Sequence, residues 1–125
     1  MDVNKQIAYW RESAGEDWEV GASLVKRGKT RHGLFFVHLA LEKILKAHVS
    51  STTKDFPPKI HNLMRLVEIG NVSLTDEQKD TLARLNQYNL NGRYPGTLGA
   101  VPTKREAGEV LAAARRSYRW LASQL

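Results

Sequence analysis

Apolar residues recur every three or four positions along most of the chain, which is the spacing of one face of an α-helix. The first such segment runs from Val3 to about Arg27, and Gly28 then supplies a helix stop. The second runs from about Arg31 to Val49, and within it residues 33–41, GLFFVHLAL, are apolar nearly all round. Because a helix of that kind is buried on every side, we expect the second helix to be central.

The middle of the chain has the composition of a loop. Residues 50–58, SSTTKDFPP, are rich in serine and threonine, and the two prolines bias the residues before them away from helix. A short helix, Asn62–Glu68, follows before Gly70 and Asn71 break the chain.

Two capping boxes mark the later helices. Thr75 with Gln78 predicts a helix from about Asp76 to Leu90, and Thr103 with Glu106 starts the last helix. The positions expected to face inward are Leu82, Leu85 and Tyr88 in the fourth helix and Ala107, Val110 or Leu111, Ala114, Tyr118, Leu121 and Leu125 in the last.

No alternating run flanked by turn residues predicts a strand. The sequence therefore predicts one all-α domain over residues 1–125: an antiparallel up-and-down helical bundle of four long helices plus one short helix.

Composition narrows the compartment and the chemistry. There is no cysteine, so disulfides, thiolate metal sites and thiol nucleophiles are excluded. The N-terminus lacks the apolar run of a signal peptide, and no stretch approaches the ~18 apolar residues of a membrane span. We expect a cytoplasmic protein with no membrane partner.

The net charge of +6 is compatible with a phosphate-bearing or polyanionic ligand. Residues 1–61 carry ten basic and seven acidic residues and residues 62–125 nine and six, so no basic arm stands apart. Positive charge is concentrated in residues 26–31, KRGKTR, and in Lys104, Arg105, Arg115, Arg116 and Arg119. Solvated surface charge is the alternative for both groups.

His38, Glu42 and Lys46 are spaced four apart and form one row on the second helix. The row is either an ion-pair ladder, with Glu42 pairing to Lys46, or the wall of a cleft. His38 by itself is more often a packing residue than a ligand.

His61 opens the short helix, and Arg65 follows four residues later. His61 is either a residue that caps the helix or pins the loop, or part of a site. The four histidines, at positions 32, 38, 48 and 61, lack the pairing with carboxylates that zinc motifs use, so we expect no metal and no cofactor.

Residues 89–96, NLNGRYPG, combine a helix stop with an arginine and an aromatic ring. Asn91 with Gly92, followed by Pro95, suffices as the stop. Arg93 and Tyr94 are not needed for it: they could grip a phosphate and stack on a base, or Arg93 could neutralise the helix C-terminus.

These features together resemble the HEPN domains, small all-helical proteins often encoded beside a minimal nucleotidyltransferase. The resemblance covers most of the chain. It rests on the long first helix, on residues 38–47, HLALEKILKA, on residues 57–63, PPKIHNL, and on Arg93-Tyr94-Pro95 after the fourth helix.

The resemblance implies a homodimer, and a nucleotide or RNA bound near the glutamate and lysine of the second helix. It also implies partnership with a nucleotidyltransferase in a toxin–antitoxin-like or related system. The nucleotide-binding residues that we predict are Glu42, Lys46, His61, Arg93 and Tyr94, with His38, Arg65 and Asn89 as additional candidates.

One departure from the family bears on catalysis. HEPN ribonucleases resemble one another in an arginine followed, after four to six residues, by a histidine near the domain end, whereas no histidine follows His61 here. Arg31 and His38 fit the bare spacing but lie on the wrong helix. We therefore predict a binding subunit with no catalytic residue. The alternatives are a metal-independent ribonuclease with a divergent active site and a basic helical nucleic-acid-binding adaptor.

Overall fold

The computed structural model describes residues 2–93 and 101–125, with the backbone alone for residues 90–93. The described residues form five α-helices and no strand, which confirms the predicted all-α class. The helices are α1 (Val3–Lys26), α2 (Thr30–Thr53), α3 (Leu63–Ile69), α4 (Asp76–Arg93) and α5 (Lys104–Ser123).

Helix α2 is the centre of the bundle, as its apolar sequence predicts. It packs against each of the other four helices, and its interface with α1 is the most extensive of any helix pair. The two helices are antiparallel, since contacts pair early residues of α1 with late residues of α2: Ser13 Oγ accepts a hydrogen bond from Lys43 at 2.7 Å, while Gly21 lies against Val37.

Two glycines set the separation of α1 and α2. A Cβ atom on Gly21 would lie 2.8 Å from the backbone nitrogen of Val37, and one on Gly33 would lie 2.7 Å from that of Val25. Because backbone atoms cannot swing aside, only glycine fits at this crossing. The short turn that joins the helices uses the left-handed region at Gly28, with φ of +80°.

The predicted capping boxes are both present. At the start of α4, Thr75 Oγ1 accepts from the Gln78 backbone at 3.2 Å, and Gln78 Oε1 accepts from the Thr75 backbone at 2.9 Å. Thr103 and Glu106 make the same exchange before α5, each at 3.1 Å. The unpaired amides of these helix starts are therefore satisfied locally, as the sequence indicates.

Helix α2 is longer than predicted: it continues from Val49 to Thr53. The Thr52 hydroxyl donates to the carbonyl of Gly70 and that of Thr53 to the carbonyl of Val49, both at 2.8 Å. The Thr52 bond anchors the last turn of α2 to the end of α3, which stabilises a helix in residues whose composition favours a loop. Lys54 then ends the helix with φ of 59°.

Helix α4 also exceeds its prediction, because it runs through Gly92 to Arg93 instead of ending near Leu90. The interpretation of Asn91-Gly92 as the stop is wrong. A glycine inside a helix costs about 1 kcal/mol relative to alanine, which a long packed helix tolerates. The restriction imposed by Pro95 acts on the residue before it, Tyr94, and so does not reach Arg93.

The interior is built mainly from aliphatic side chains of α2 and the helices around it. The inward positions predicted for α4 are buried, as are those of α5 except Tyr118 and Leu125, which are partly exposed. No helix in the described ranges combines the length and the apolar character needed to cross a membrane.

Candidate functional site

A buried carboxylate links α2 to the segment before α3. Glu42 Oε2 lies 3.0 Å from Lys46 Nζ, and Glu42 Oε1 lies 3.0 Å from His61 Nδ1. The side chains of Glu42 and Lys46 are only 4% and 8% exposed, whereas that of His61 is 49% exposed. The carboxylate thus connects an interior lysine to a histidine at the surface.

The geometry follows from the local sequence. Glu42 and Lys46 are one helical turn apart on α2, a spacing that brings their side chains together. His61 arrives from the segment before α3, whose N-cap is Asn62: the Asn62 Oδ1 atom accepts from the backbone amides of Met64 at 3.0 Å and Arg65 at 3.3 Å. His61 therefore precedes the helix and does not cap it.

Lys46 has a second neighbour on α1. Its ammonium lies 5.4 Å from the centroid of the Trp10 ring, within the range of a cation–π contact. A buried ammonium needs compensation by opposite charge and aromatic faces. Lys46 receives both, so it is held by contacts from two helices.

A second polar network lies beside the first. His38 Nε2 is 3.3 Å from Asn86 Oδ1, and the same oxygen accepts from the Leu63 backbone at 3.0 Å. Asn86 Nδ2 donates to Asn62 Oδ1 at 3.3 Å. These contacts join α2, the start of α3 and α4, and they fix the segment that carries His61.

The two networks meet at a depression of about 270 Å³ lined by His61, Asn62, Asn86 and Asn89. Because an ionised carboxylate only accepts hydrogen bonds, Nδ1 of His61 carries the proton in its contact with Glu42. Within the described part of the chain, Nε2 of His61 makes no hydrogen bond. The depression is therefore edged by an oriented imidazole and three amide side chains.

Comparison with known proteins places the fold in a family. The family model described as the HEPN domain matches residues 7–124. The chain belongs to the HEPN domain family. No curated protein matches it significantly.

Two solved structures are similar to this HEPN chain. One is TT1696 from Thermus thermophilus, with a TM-score of 0.81 and 20% sequence identity over 96% of this chain and 98% of that one. The other is ST0689, an archaeal HEPN homologue, with a TM-score of 0.74 and 20% identity over 94% and 96% of the two chains. At this identity the likeness shows the fold alone.

Several predicted site residues come together in this HEPN fold. Glu42, Lys46 and His61 form one cluster, and Asn89 lines the adjoining depression. His38 lies in the neighbouring network but is 1% exposed. It therefore supports the site from within.

Arg65 does not join the cluster. Its guanidinium pairs with Glu68 at 2.8 Å on the exposed side of α3. The expectation that His61 opens this helix is wrong, because α3 begins at Leu63, so the four-residue spacing from His61 to Arg65 is not a helical one.

Arg93 and Tyr94 of the NLNGRYPG stretch are the predicted phosphate-binding and stacking residues. Tyr94 lies outside the described residues, and of Arg93 the structure describes the backbone alone. That backbone lies in the last turn of α4. Asn86, Asn89 and Arg93 are spaced three and four apart, so the position of Arg93 continues the row that borders the depression.

Sequence reasoning missed three residues that contact or line this candidate site: Trp10, Asn62 and Asn86. Asn62 carried a usable signal, since asparagine before an apolar helical run is typical of an N-cap. Asn86 precedes Asn89 by three positions, which places both on one face. Nothing local predicts that Trp10 meets Lys46.

The described residues around His61 do not form a set of metal ligands. Among the described residues, no three histidine, aspartate or glutamate side chains lie close enough together to hold an ion. Glu42 and His61 are two potential ligands, and the next charged group at the Glu42 carboxylate is the ammonium of Lys46, which repels a metal cation.

Proposed function

We propose that the protein is a nucleotide-binding HEPN subunit whose ligand occupies the depression beside His61. The observation that carries the proposal is the placement of a half-exposed imidazole, oriented by a buried glutamate, next to three asparagine amides. The side-chain oxygens of Asn62 and Asn86 are already engaged within the protein, so these two amides would serve a ligand as N–H donors. Such donors match the acceptor atoms of a nucleobase or of a ribose hydroxyl.

The size of the depression favours part of a nucleotide. Ligand pockets usually measure about 300–1,000 Å³, and the 270 Å³ here lies just below that range. A base or a sugar would fill it, and the phosphates would extend outside. Arg93, whose position continues the row of Asn86 and Asn89 along α4, is the cation that we assign to a phosphate. Tyr94 follows it and is assigned to stacking.

The partners in this proposal are those typical of the family. The protein acts with a minimal nucleotidyltransferase in a toxin–antitoxin-like or related system and forms a homodimer. Light scattering should therefore give a mass near twice 14.1 kDa, and a minimal nucleotidyltransferase should copurify with the chain from its native host. A monodisperse monomer at high concentration contradicts the dimer.

The contact between Glu42 and His61 also favours a second candidate, a metal-independent ribonuclease, because a carboxylate that orients histidine is common in acid–base catalysis. Cleavage at a 2′-hydroxyl needs a second proton carrier as well. His38 is buried and bonded to Asn86, so it does not supply one at the surface. We expect purified protein to degrade RNA no faster than a variant lacking both Arg93 and His61.

The central test is calorimetric titration of ATP against Arg93 variants. Arg93→Ala should weaken binding by about 1.5–3 kcal/mol, roughly 10- to 150-fold, because a charge-assisted bond to phosphate is lost. Arg93→Lys should be intermediate, since lysine keeps the charge but not the planar fork. Tyr94→Phe should be milder than Tyr94→Ala if the ring stacks.

Arg84→Ala is the matched control, because it removes the same charge from an exposed position on the same helix. It should leave ATP affinity within about twofold, and thermal melts should show all variants folded. Unchanged affinity in Arg93→Ala, with measurable binding by the wild type, would leave the arginine without a role in binding.

A further inference from the structure

A groove of about 640 Å³ lies between α1 and α5, away from the depression beside His61. Its lining includes the side chains of Lys26, Arg27, Arg115 and Arg119, with Trp18 among them. Lys26 and Arg27 come from one of the two basic segments of the sequence and the arginines of α5 from the other. Folding therefore joins two concentrations of positive charge that lie near opposite ends of the chain.

These four cations differ from the two remaining arginines of α5. In the described part of the chain, none of the four lies within ion-pair distance of a carboxylate. By contrast, Arg105 pairs with Glu109 and Arg116 with Glu77, although both belong to α5. Among the described lining residues, Glu19 is the one acid. The groove thus has an excess of positive charge that the described residues around it do not neutralise.

One of the residues that line the groove, Trp18, is aromatic. Trp18 stacks on Tyr118 with ring centroids 5.0 Å apart and planes 4° from parallel. The guanidinium of Arg115 lies 5.9 Å from the centroid of Trp18. Such a guanidinium can donate to a phosphate with its edge while its plane remains available for stacking with a base.

The length of the groove fits several phosphates. Trp18 and Lys26 are eight residues apart on α1, which corresponds to about 12 Å along the helix axis. The four cations are distributed over this length, so a phosphodiester backbone that lies along the groove can meet three or four of them.

We propose that the groove between α1 and α5 binds the phosphate backbone of a single-stranded nucleic acid, with bases stacking near Arg115 and Trp18. The combination of unpaired cations with aromatic faces is the one that single-strand binding surfaces use. An acidic polypeptide would satisfy the charges but would provide no flat ring to stack on the Arg115 guanidinium beside Trp18. The groove proposal does not depend on the ligand assigned to the depression beside His61.

The test is fluorescence anisotropy of a labelled oligouridylate of about twelve nucleotides, titrated with the full chain between about 50 and 200 mM NaCl. Three or four phosphate contacts should give a plot of log affinity against log salt with a slope of roughly −2 to −3, at about −0.7 for each contact. Arg115→Ala/Arg119→Ala should weaken binding at least about tenfold at the lower salt and make the slope shallower by roughly 1.4.

Arg105→Ala/Arg116→Ala is the matched control: it removes the same charge from the same helix, but from cations that already have carboxylate partners. It should change affinity by less than about threefold, because neither guanidinium lines the groove and both are paired with carboxylates. Equal losses in the two double variants would show a response to net charge alone and would overturn the assignment.

Competitors define the class of ligand. An unlabelled oligodeoxythymidylate of the same length should displace the probe, which would show recognition of the phosphodiester backbone, and displacement by RNA alone would restrict the ligand to RNA. Polyglutamate should not displace it at equal charge. Equal displacement by polyglutamate, tighter binding of duplex RNA, or no binding of the probe at the lowest salt would each contradict the proposal.

Discussion

The Glu42 cluster and the groove between α1 and α5 both contain cations beside tryptophan, but they use the charge in opposite ways. Lys46 is 8% exposed, faces Trp10 and is neutralised by Glu42. In the groove, Arg115 faces Trp18 with no carboxylate at ion-pair distance in the described residues. The first arrangement is complete within the protein, whereas the second leaves its charge available to an anion.

The difference shows what burial does to a charge. A buried ion must find its partner inside the fold, so its contribution is tied to stability and is little affected by salt. An exposed unpaired cation costs little to maintain and acts over about 8–10 Å in physiological salt. Composition cannot separate the two kinds, because both are lysine or arginine near an aromatic ring.

Among the substitutions that test this comparison, Glu42→Gln should have the largest effect on the free energy of unfolding. The substitution preserves shape but removes the charge that compensates Lys46, and breaking a buried ion pair typically costs about 3–5 kcal/mol. Urea unfolding should show a loss of that order. Glu42→Gln/Lys46→Met should recover much of it, because the stranded ammonium is removed too. A loss below about 1 kcal/mol would mean that Lys46 reaches water, and the contrast with the groove would disappear.

The crossing of α1 and α2 supports both regions, and Gly33→Ala tests it. The added Cβ would lie 2.7 Å from a backbone nitrogen of α1, so the helices must separate, at a cost of about 1–3 kcal/mol in unfolding free energy. Gly108→Ala is the control: its Cβ would have no atom within 4 Å, and it should stabilise α5 by up to about 1 kcal/mol. Equal effects of the two substitutions would contradict the close approach.

A buried histidine, His48, extends the comparison to lower pH. Burial lowers the pKa of His48 below its ordinary value, while the hydrogen bond from Nε2 to the Leu121 carbonyl at 2.8 Å offsets part of the shift. The unfolded chain therefore binds a proton at this histidine more readily than the folded chain does. The contribution of neutral His48 to the free energy of unfolding is fully present above about pH 6.5 and declines as pH falls. One such group contributes a slope of at most about 1.4 kcal/mol per pH unit.

His48→Gln keeps a donor for the Leu121 carbonyl and removes the titration, so urea unfolding between about pH 7 and 5 should show a weaker pH dependence. The exposed His32→Gln controls for loss of a histidine elsewhere on α2. An unchanged pH dependence in His48→Gln would show that this histidine takes up its proton equally in the folded and unfolded chains.

The smallest expected effect belongs to the groove. Arg115→Ala/Arg119→Ala should change the free energy of unfolding by no more than about 0.5 kcal/mol for each substitution, since neither arginine makes an ion pair with the described residues that would be lost. At low salt the double variant should become more stable relative to the wild type, because the substitutions relieve mutual repulsion among the cations. A loss comparable to that of Glu42→Gln would make these arginines structural.

Local signals in the sequence predicted the fold well. The capping boxes at Thr75 and Thr103 and the regular apolar spacing fixed the starts and faces of the helices, and those features depend on neighbours within four residues. The predicted ends of α2 and α4 were wrong for different reasons. A contact with a residue distant in sequence extends α2, and α4 tolerates a glycine within its last turn. The hydroxyl of Thr52, for instance, bonds to Gly70, which no local pattern indicates.

The site was predicted in part for the same reason. Glu42 and Lys46 are one turn apart, so their pairing follows from spacing, and the family resemblance added His61. Asn86 is bonded to the segment before α3 across many residues of chain, and its role depends on the packing of α4. The groove is the extreme case, since its charges come from opposite ends of the sequence.

The close packing of α1 on α2 at Gly21 and Gly33 also bears on the order in which the helices fold. Because α1 and α2 are joined by a tight turn at Gly28, their contacts close a short loop at low entropic cost, whereas α5 must return from the far end of the chain. We expect this helical hairpin to be structured in the transition state. Val37→Ala should then slow refolding, and Leu121→Ala should mainly accelerate unfolding.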